Sequence, residues 1–198
     1  MLDLIIKNGK CYIDGELKEV NVFIKDGKIN SLGKINEEAK ETIDAKGLIV
    51  LPGCIDTQTH FREPGSTDTE DLYSGSRAAV SGGITAVFEM PNTNPPTSNK
   101  KEFQRKLDLA KNRMYCNYAF YFGATADNAN DLADLKNLEG CCGIKLFAGS
   151  STGNLLVADE KDIETVFKNS SKVVAVHSED EEILNKNKKL IKNGDVHS

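Results

Sequence analysis

No apolar run in this chain is long enough to cross a bilayer, and the first, Leu4-Ile5-Ile6, lies between Asp3 and Lys7, too short for the core of a secretion signal. Membrane spans and exported precursors are set aside on that ground, and the cytosol is the expected compartment. A basic face is also missing. The net charge is -5, and lysines alternate with acids instead of segregating, which excludes the electrostatic footprint of a nucleic-acid binder and favours a small-molecule partner. There is no C-x-x-C pair. Cys11, Cys54, Cys116, Cys141 and Cys142 are odd in number, and the adjacent two are badly placed to bridge each other, so they read as reduced, structural thiols. Finally, no glycine-rich phosphate loop follows the first candidate strand of the main domain, where open nucleotide-binding sheets usually carry one.

What is present is ordinary globular composition: 198 residues, 39% hydrophobic and 28% charged. Two styles of patterning divide the chain. Residues 1–46 alternate short apolar strands with the turn dipeptides Asp14-Gly15 and Asp26-Gly27, the signature of a small antiparallel sheet. Residues 47–198 alternate near-continuous apolar runs with amphipathic stretches, which reads as strands buried on both faces, joined by helices. Strands are expected over 48–56, 85–89, 117–122, 142–147 and 173–176. Helices are expected over 68–80, 100–112, 128–138, 159–168 and 179–192. Thr67, Ser98 and Ala158-Asp159 stand where helix caps would fall.

Five βα units of this kind fit part of an eight-stranded TIM barrel, whose full form takes about 250 residues. The fold class is therefore α/β: a partial barrel with an N-terminal β segment. Polar and ionisable residues gather after successive strands, at 58–63, 89–94, Lys145 and 177–180, and barrels carry their catalytic groups at that end of the strands. Five strands would leave an open edge, so the sequence reads as ending short of a self-sufficient domain.

Around the first strand end the chain runs Asp56-Thr57-Gln58-Thr59-His60-Phe61-Arg62-Glu63. Strand alternation sends Asp56, Gln58, His60 and Arg62 to one side, which brings an acid, an amide, an imidazole and a guanidinium to the mouth. The bland alternatives are a structural histidine, a snorkelling Lys145 between Ile144 and Leu146, and an Arg62–Glu63 surface pair.

This block resembles the D-x-H-x-H-x-R signature of dihydroorotases. The resemblance continues through Met90-Pro91-Asn92-Thr93-Asn94-Pro95, Gly143-Ile144-Lys145-Leu146-Phe147 and Val176-His177-Ser178-Glu179-Asp180, in family order. It implies a metal-dependent hydrolase of the cyclic amidohydrolase class. L-dihydroorotate would be opened reversibly to N-carbamoyl-L-aspartate in pyrimidine biosynthesis, with one or two zinc ions as cofactor. His60, Lys145 and His177 match metal ligands, Lys145 as the carbamate it forms with carbon dioxide. Arg62 and Asn92 match the residues that hold the substrate carboxylate. Gln58 departs from the pattern, which has histidine there, and an amide oxygen is a poorer zinc donor than imidazole. The same resemblance places the general-base aspartate and a further histidine ligand beyond Ser198, so the 198 residues alone are expected to be inactive. It also makes the N-terminal segment part of a composite sheet. Other readings stay open: an allantoinase or hydantoinase, or a non-catalytic scaffold beside aspartate carbamoyltransferase. Oligomeric state is not legible, a homodimer being one option.

Overall fold

The computed structural model describes residues 1–34, 38–149 and 154–190, and the chain divides into two compact units between Gly53 and Cys54. Among its described residues the first unit holds seven strands: β1 (Leu2–Lys7), β2 (Lys10–Ile13), β3 (Glu16–Glu19), β4 (Asn21–Lys25), β5 (Lys28–Gly33), β6 (Ala39–Asp44) and β7 (Ile49–Val50). They form two sheets, ordered β5-β4-β1-β6 and β3-β2-β7. The two predicted turns close antiparallel hairpins, β2 to β3 and β4 to β5. At Asp14-Gly15 and Asp26-Gly27 all four φ values are positive, between 51° and 84°, as the right-handed twist of a two-residue hairpin demands. Leu2, Ile5 and Phe23 make a small core.

In the second unit the strands are β8 (Cys54–Thr59), β9 (Ile84–Glu89), β10 (Asn117–Gly123), β11 (Cys141–Phe147) and β12 (Val174–His177). All neighbours are parallel, and the sheet runs in chain order from β8 to β12. That is the topology of one arc of a βα barrel. Between and after the strands lie α1 (Leu72–Ser81), α2 (Lys100–Ala110), a 3-10 helix (Ala129–Leu135), α3 (Glu160–Asn169) and α4 (Glu181–Lys188). One face of the sheet, with Val87, Phe120, Phe122, Ile144 and Leu146, shares a core with Leu72 of α1, Phe103 of α2, Leu132 of the 3-10 helix and Val166 of α3. Because side chains alternate along a strand, Tyr121, Lys145 and Phe147 are sent to the opposite, concave side.

Three local differences from expectation have physical causes. The apolar run 48–56 is two strands: Ile49 and Val50 pair with Lys10 and Cys11 of β2, and Pro52, lacking an N–H, interrupts the ladder before β8. The helix expected over 128–138 is a 3-10 helix, whose buried Ala129, Leu132 and Leu135 recur every three residues, the period at which 3-10 side chains stack on one face. Helix α1 starts at Leu72, because Asp71 accepts from Ser74 N at 2.6 Å and from its hydroxyl at 2.7 Å, a stronger cap than Thr67 could give. Asn99, next to the predicted Ser98, caps α2, and Asp159 caps α3 as expected. The end of the helix predicted to reach 192 lies outside the described residues.

Candidate active site

The rim at the C-terminal ends of the strands is assembled by backbone bonds before any side chain enters. Met90 N–H donates to the Thr59 carbonyl at 2.9 Å, Asn94 N–H to the Pro64 carbonyl at 2.9 Å, and Ala148 N–H to the His177 carbonyl at 2.9 Å. The loops after β8 and β9 are thereby stitched together, as are the ends of β11 and β12. Gly65 is required at this seam: its φ is +120°, and a Cβ there would come within 2.8 Å of Asn94 Cβ.

His60 follows Thr59 and lies partly buried, its Nδ1 2.9 Å from Asn92 Oδ1. With the amide oxygen as acceptor the proton is on Nδ1, which leaves Nε2 with a free lone pair. Burial holds the imidazole below its ordinary 6.5; the Asn92 bond opposes this, and the charges of Arg62, Lys145 and Lys106 add to it. Lys145 is 3% exposed, with Nζ 5.0 Å from the Phe147 ring centroid. No carboxylate among the described residues pairs with it, and burial pushes its ammonium below the ordinary lysine value. His177 stacks beside Phe147, ring centroids 6.1 Å apart. Glu179 Oε2 lies 3.1 Å from His177 Nε2 but out of line for a hydrogen bond, so this nitrogen is buried without a hydrogen-bond partner.

Arg62 and Asn92 line one cavity of about 340 Å³, together with Pro64, Ser66 and Asn94. The Arg62–Glu63 surface pair does not form. Glu63 is buried and accepts from Arg113 at 2.8 and 3.2 Å and from Leu72 N–H at 2.9 Å, while Arg62 stays exposed. Gln58 is exposed, and its backbone N–H donates to Asp56 at 2.9 Å. Among the described residues no three His, Cys, Asp or Glu side chains cluster tightly enough to hold a metal ion. The structure thus joins His60 to Asn92, and Lys145 and His177 to Phe147, and brings Lys145's charge to bear on His60.

Sequence reasoning missed a buried ion pair. Glu89 at the end of β9 and Lys106 of α2 are both fully buried and in contact. Burial pushes the Glu89 carboxyl up and the Lys106 ammonium down, and each is opposed by the charge of the other across the contact. A signal existed: Phe103, Lys106, Leu107 and Ala110 share one helical face, so the lysine falls on the apolar stripe of α2.

A parallel βα arc with imidazoles, a buried lysine and an arginine near its strand ends has the architecture of one part of a βα barrel. The chain belongs to the amidohydrolase family, whose model matches residues 49–193. It is 36% identical over 200 residues to a dihydroorotase of Methanosarcina mazei, covering 99% of this chain and 43% of that relative. An allantoinase of Escherichia coli O1:K1 is 36% identical over 186 residues, covering 89% and 41%. Among solved structures, an L-hydantoinase (dihydropyrimidinase) from Arthrobacter aurescens superposes with a TM-score of 0.88 at 28% identity, over 96% of this chain and 44% of that one. A D-hydantoinase gives 0.78 at 31%, over 96% and 43%. The chain spans less than half the length of these relatives, and no described helix is long and apolar enough to cross a membrane.

Proposed function

We propose that this chain carries the substrate rim and part of the metal site of a dihydroorotase, which hydrolyses the cyclic amide of L-dihydroorotate reversibly to N-carbamoyl-L-aspartate. The observation that carries the reading is the cavity shared by Arg62, Asn92 and Asn94. A guanidinium that no described carboxylate neutralises, flanked by amide donors, offers the planar fork that a carboxylate takes. Dihydroorotate has that carboxylate; hydantoin and allantoin lack it.

The donors present suit zinc. His60 offers Nε2 because Asn92 occupies Nδ1; His177 Nε2 lies 3.1 Å from Glu179 Oε2; and Lys145 is buried without a carboxylate partner among the described residues. A lysine becomes a ligand only after losing its proton. Burial already disfavours the ammonium, so the neutral amine attacks the carbon of carbon dioxide, releases one N–H proton to solvent, and becomes an anionic carbamate. His60, the Lys145 carbamate and His177 would hold one or two zinc ions, with Gln58 the weakest candidate because an amide oxygen is a poorer zinc donor than imidazole. When bound, zinc would supply Lewis acidity, polarising the scissile carbonyl and lowering the pKa of water toward about 7. The chain's own residues do the rest: Arg62 and Asn92 bind and orient the carboxylate, and Asn92 also fixes the His60 ring.

The test is steady-state hydrolysis of dihydroorotate, allantoin and hydantoin by the full-length protein with zinc. A preference for dihydroorotate that disappears in Arg62→Gln is expected. Equal loss or gain on all three substrates would remove the carboxylate argument, and a preference for allantoin would transfer the protein to the allantoinase reading, for which the Escherichia coli relative speaks. Zinc far below one per chain in the full-length protein would favour a scaffold beside aspartate carbamoyltransferase.

A further inference from the structure

We propose that Lys106 is a positioning residue of the candidate site, its ammonium held between the Glu89 carboxylate and the Met90 carbonyl so as to set Asn92 against His60. The inference rests on the reading of His60 as a zinc ligand.

Lys106 does not touch the cavity. It sits on the buried face of α2 between Phe103 and Ala110, fully enclosed, with Nζ 5.3 Å from the Phe120 ring centroid. Packing alone does not ask for an ammonium there. Exchanging a buried ion pair for apolar residues of similar volume is often neutral or stabilising, so the pair needs a reason other than stability.

The reason lies in where its bonds go. Lys106 Nζ donates to the Met90 carbonyl at 3.0 Å and contacts Glu89, one residue earlier. The Met90 N–H is committed too, to the Thr59 carbonyl at 2.9 Å. Both polar backbone groups of Met90 are therefore fixed, one by the residue preceding His60 and one by α2. Next comes Pro91, whose φ is constrained by its ring and whose carbonyl accepts from Thr93 N and Thr97 N, each at 2.9 Å. Asn92 is left little freedom, and its Oδ1 holds His60 Nδ1 at 2.9 Å. The series runs from the ammonium through one carbonyl and one proline to the amide that decides which imidazole nitrogen keeps its lone pair. Groups that orient a metal-binding histidine in this way typically change metal affinity about 10- to 100-fold when removed.

The experiment uses the full-length protein and three variants: His60→Ala, Glu89→Gln, and Lys106→Met combined with Glu89→Gln, which removes the ammonium without stranding a carboxylate. Two quantities are read beside a melting curve. One is the ¹⁵N shifts of the His60 ring in the metal-free protein, assigned by their loss in His60→Ala. The other is zinc affinity by competition with a chelating dye. The double variant is expected to fold, to show His60 as a mixture of tautomers, and to bind zinc about 10-fold more weakly. Glu89→Gln alone keeps the bond to Met90 and is expected to hold the wild-type tautomer. If the double variant keeps both the single tautomer and full zinc affinity while His60→Ala loses zinc, the positioning role is overturned and the zinc reading survives. If His60→Ala binds zinc as tightly as wild type, the zinc reading falls, and an unchanged tautomer in the double variant overturns the positioning role as well. If the double variant fails to fold, Lys106→Arg takes its place: it keeps the cation but changes its reach, and an unchanged His60 tautomer there overturns the proposal.

Discussion

Glu63, next to the rim arginine, faces away from the cavity and grips Arg113 through two N–H···O bonds of 2.8 and 3.2 Å. The pairing decides the fate of two guanidiniums. Arg113, just beyond α2, neutralises the buried acid, and Arg62 is left exposed and available.

This pair should be worth measuring by a double-mutant cycle of Glu63→Gln and Arg113→Met under urea. Hydrogen bonds to charged groups are worth about 1.5–3 kcal/mol; with Arg113 36% exposed, roughly 1–2 kcal/mol of coupling is expected. Coupling indistinguishable from zero would mean that the pair does not anchor the loop.

Gly65→Ala forces a Cβ into a position 2.8 Å from Asn94 Cβ and 3.0 Å from its carbonyl oxygen, at a φ of +120° that alanine rarely adopts. Neither neighbour is a flexible side-chain tip. A stability loss of at least about 1–3 kcal/mol is expected from the backbone conformation alone. On the proposed dihydroorotase reading, the KM of the full-length protein for dihydroorotate should rise more than kcat falls, because the displaced segment carries Asn92 and Asn94 of the cavity.

Lys145→Gln keeps most of the side chain's volume but cannot form a carbamate. Zinc per chain, measured by atomic emission after dialysis, should fall well below wild type, and added bicarbonate should raise zinc loading in wild type only. A variant that retained full zinc would exclude Lys145 from the metal set.

The Asp71 cap sets a pH dependence whose sign can be stated. Its carboxyl is held below 3.8, chiefly by the Ser74 N–H and then by the Ser74 hydroxyl. A lowered acid pKa means that the folded chain binds the proton less readily than the unfolded one, so the stabilisation is present above 3.8 and is lost as pH falls through the lowered value. Asp71→Ala should cost about 1 kcal/mol at neutral pH, as caps usually do, and progressively less as pH falls below 3.8. Thermal melts at neutral pH and below 3.8 test this; an equal loss at both would show that charge is irrelevant to the cap.

Much of this architecture was legible because it depends on local rules. The two Asp-Gly hairpins follow from positive-φ turn chemistry, and the alternation of apolar runs with amphipathic segments from the periods of strand and helix. Boundaries were less legible where tertiary pairing competed with propensity. Ile49 and Val50 read as the start of a barrel strand, yet β2 claims their hydrogen bonds. A 3-10 period hid inside what looked like an ordinary helix over 128–138.

For the rim, the sequence by itself determined which chemical groups are available, since His60, Arg62, Asn92, Lys145 and His177 lie at or just beyond the C-terminal ends of strands in a chain whose patterning makes those strands parallel. Only the tertiary structure decided who partners whom. That Glu63 turns to Arg113 instead of Arg62, that Gln58 stays in solvent, and that Lys106 reaches the Met90 carbonyl depend on strand register and on how α2 seats against the sheet. Residues 16 and 50 positions apart acquire or lose a partner over a few ångströms, and no local rule of propensity or spacing carries that information.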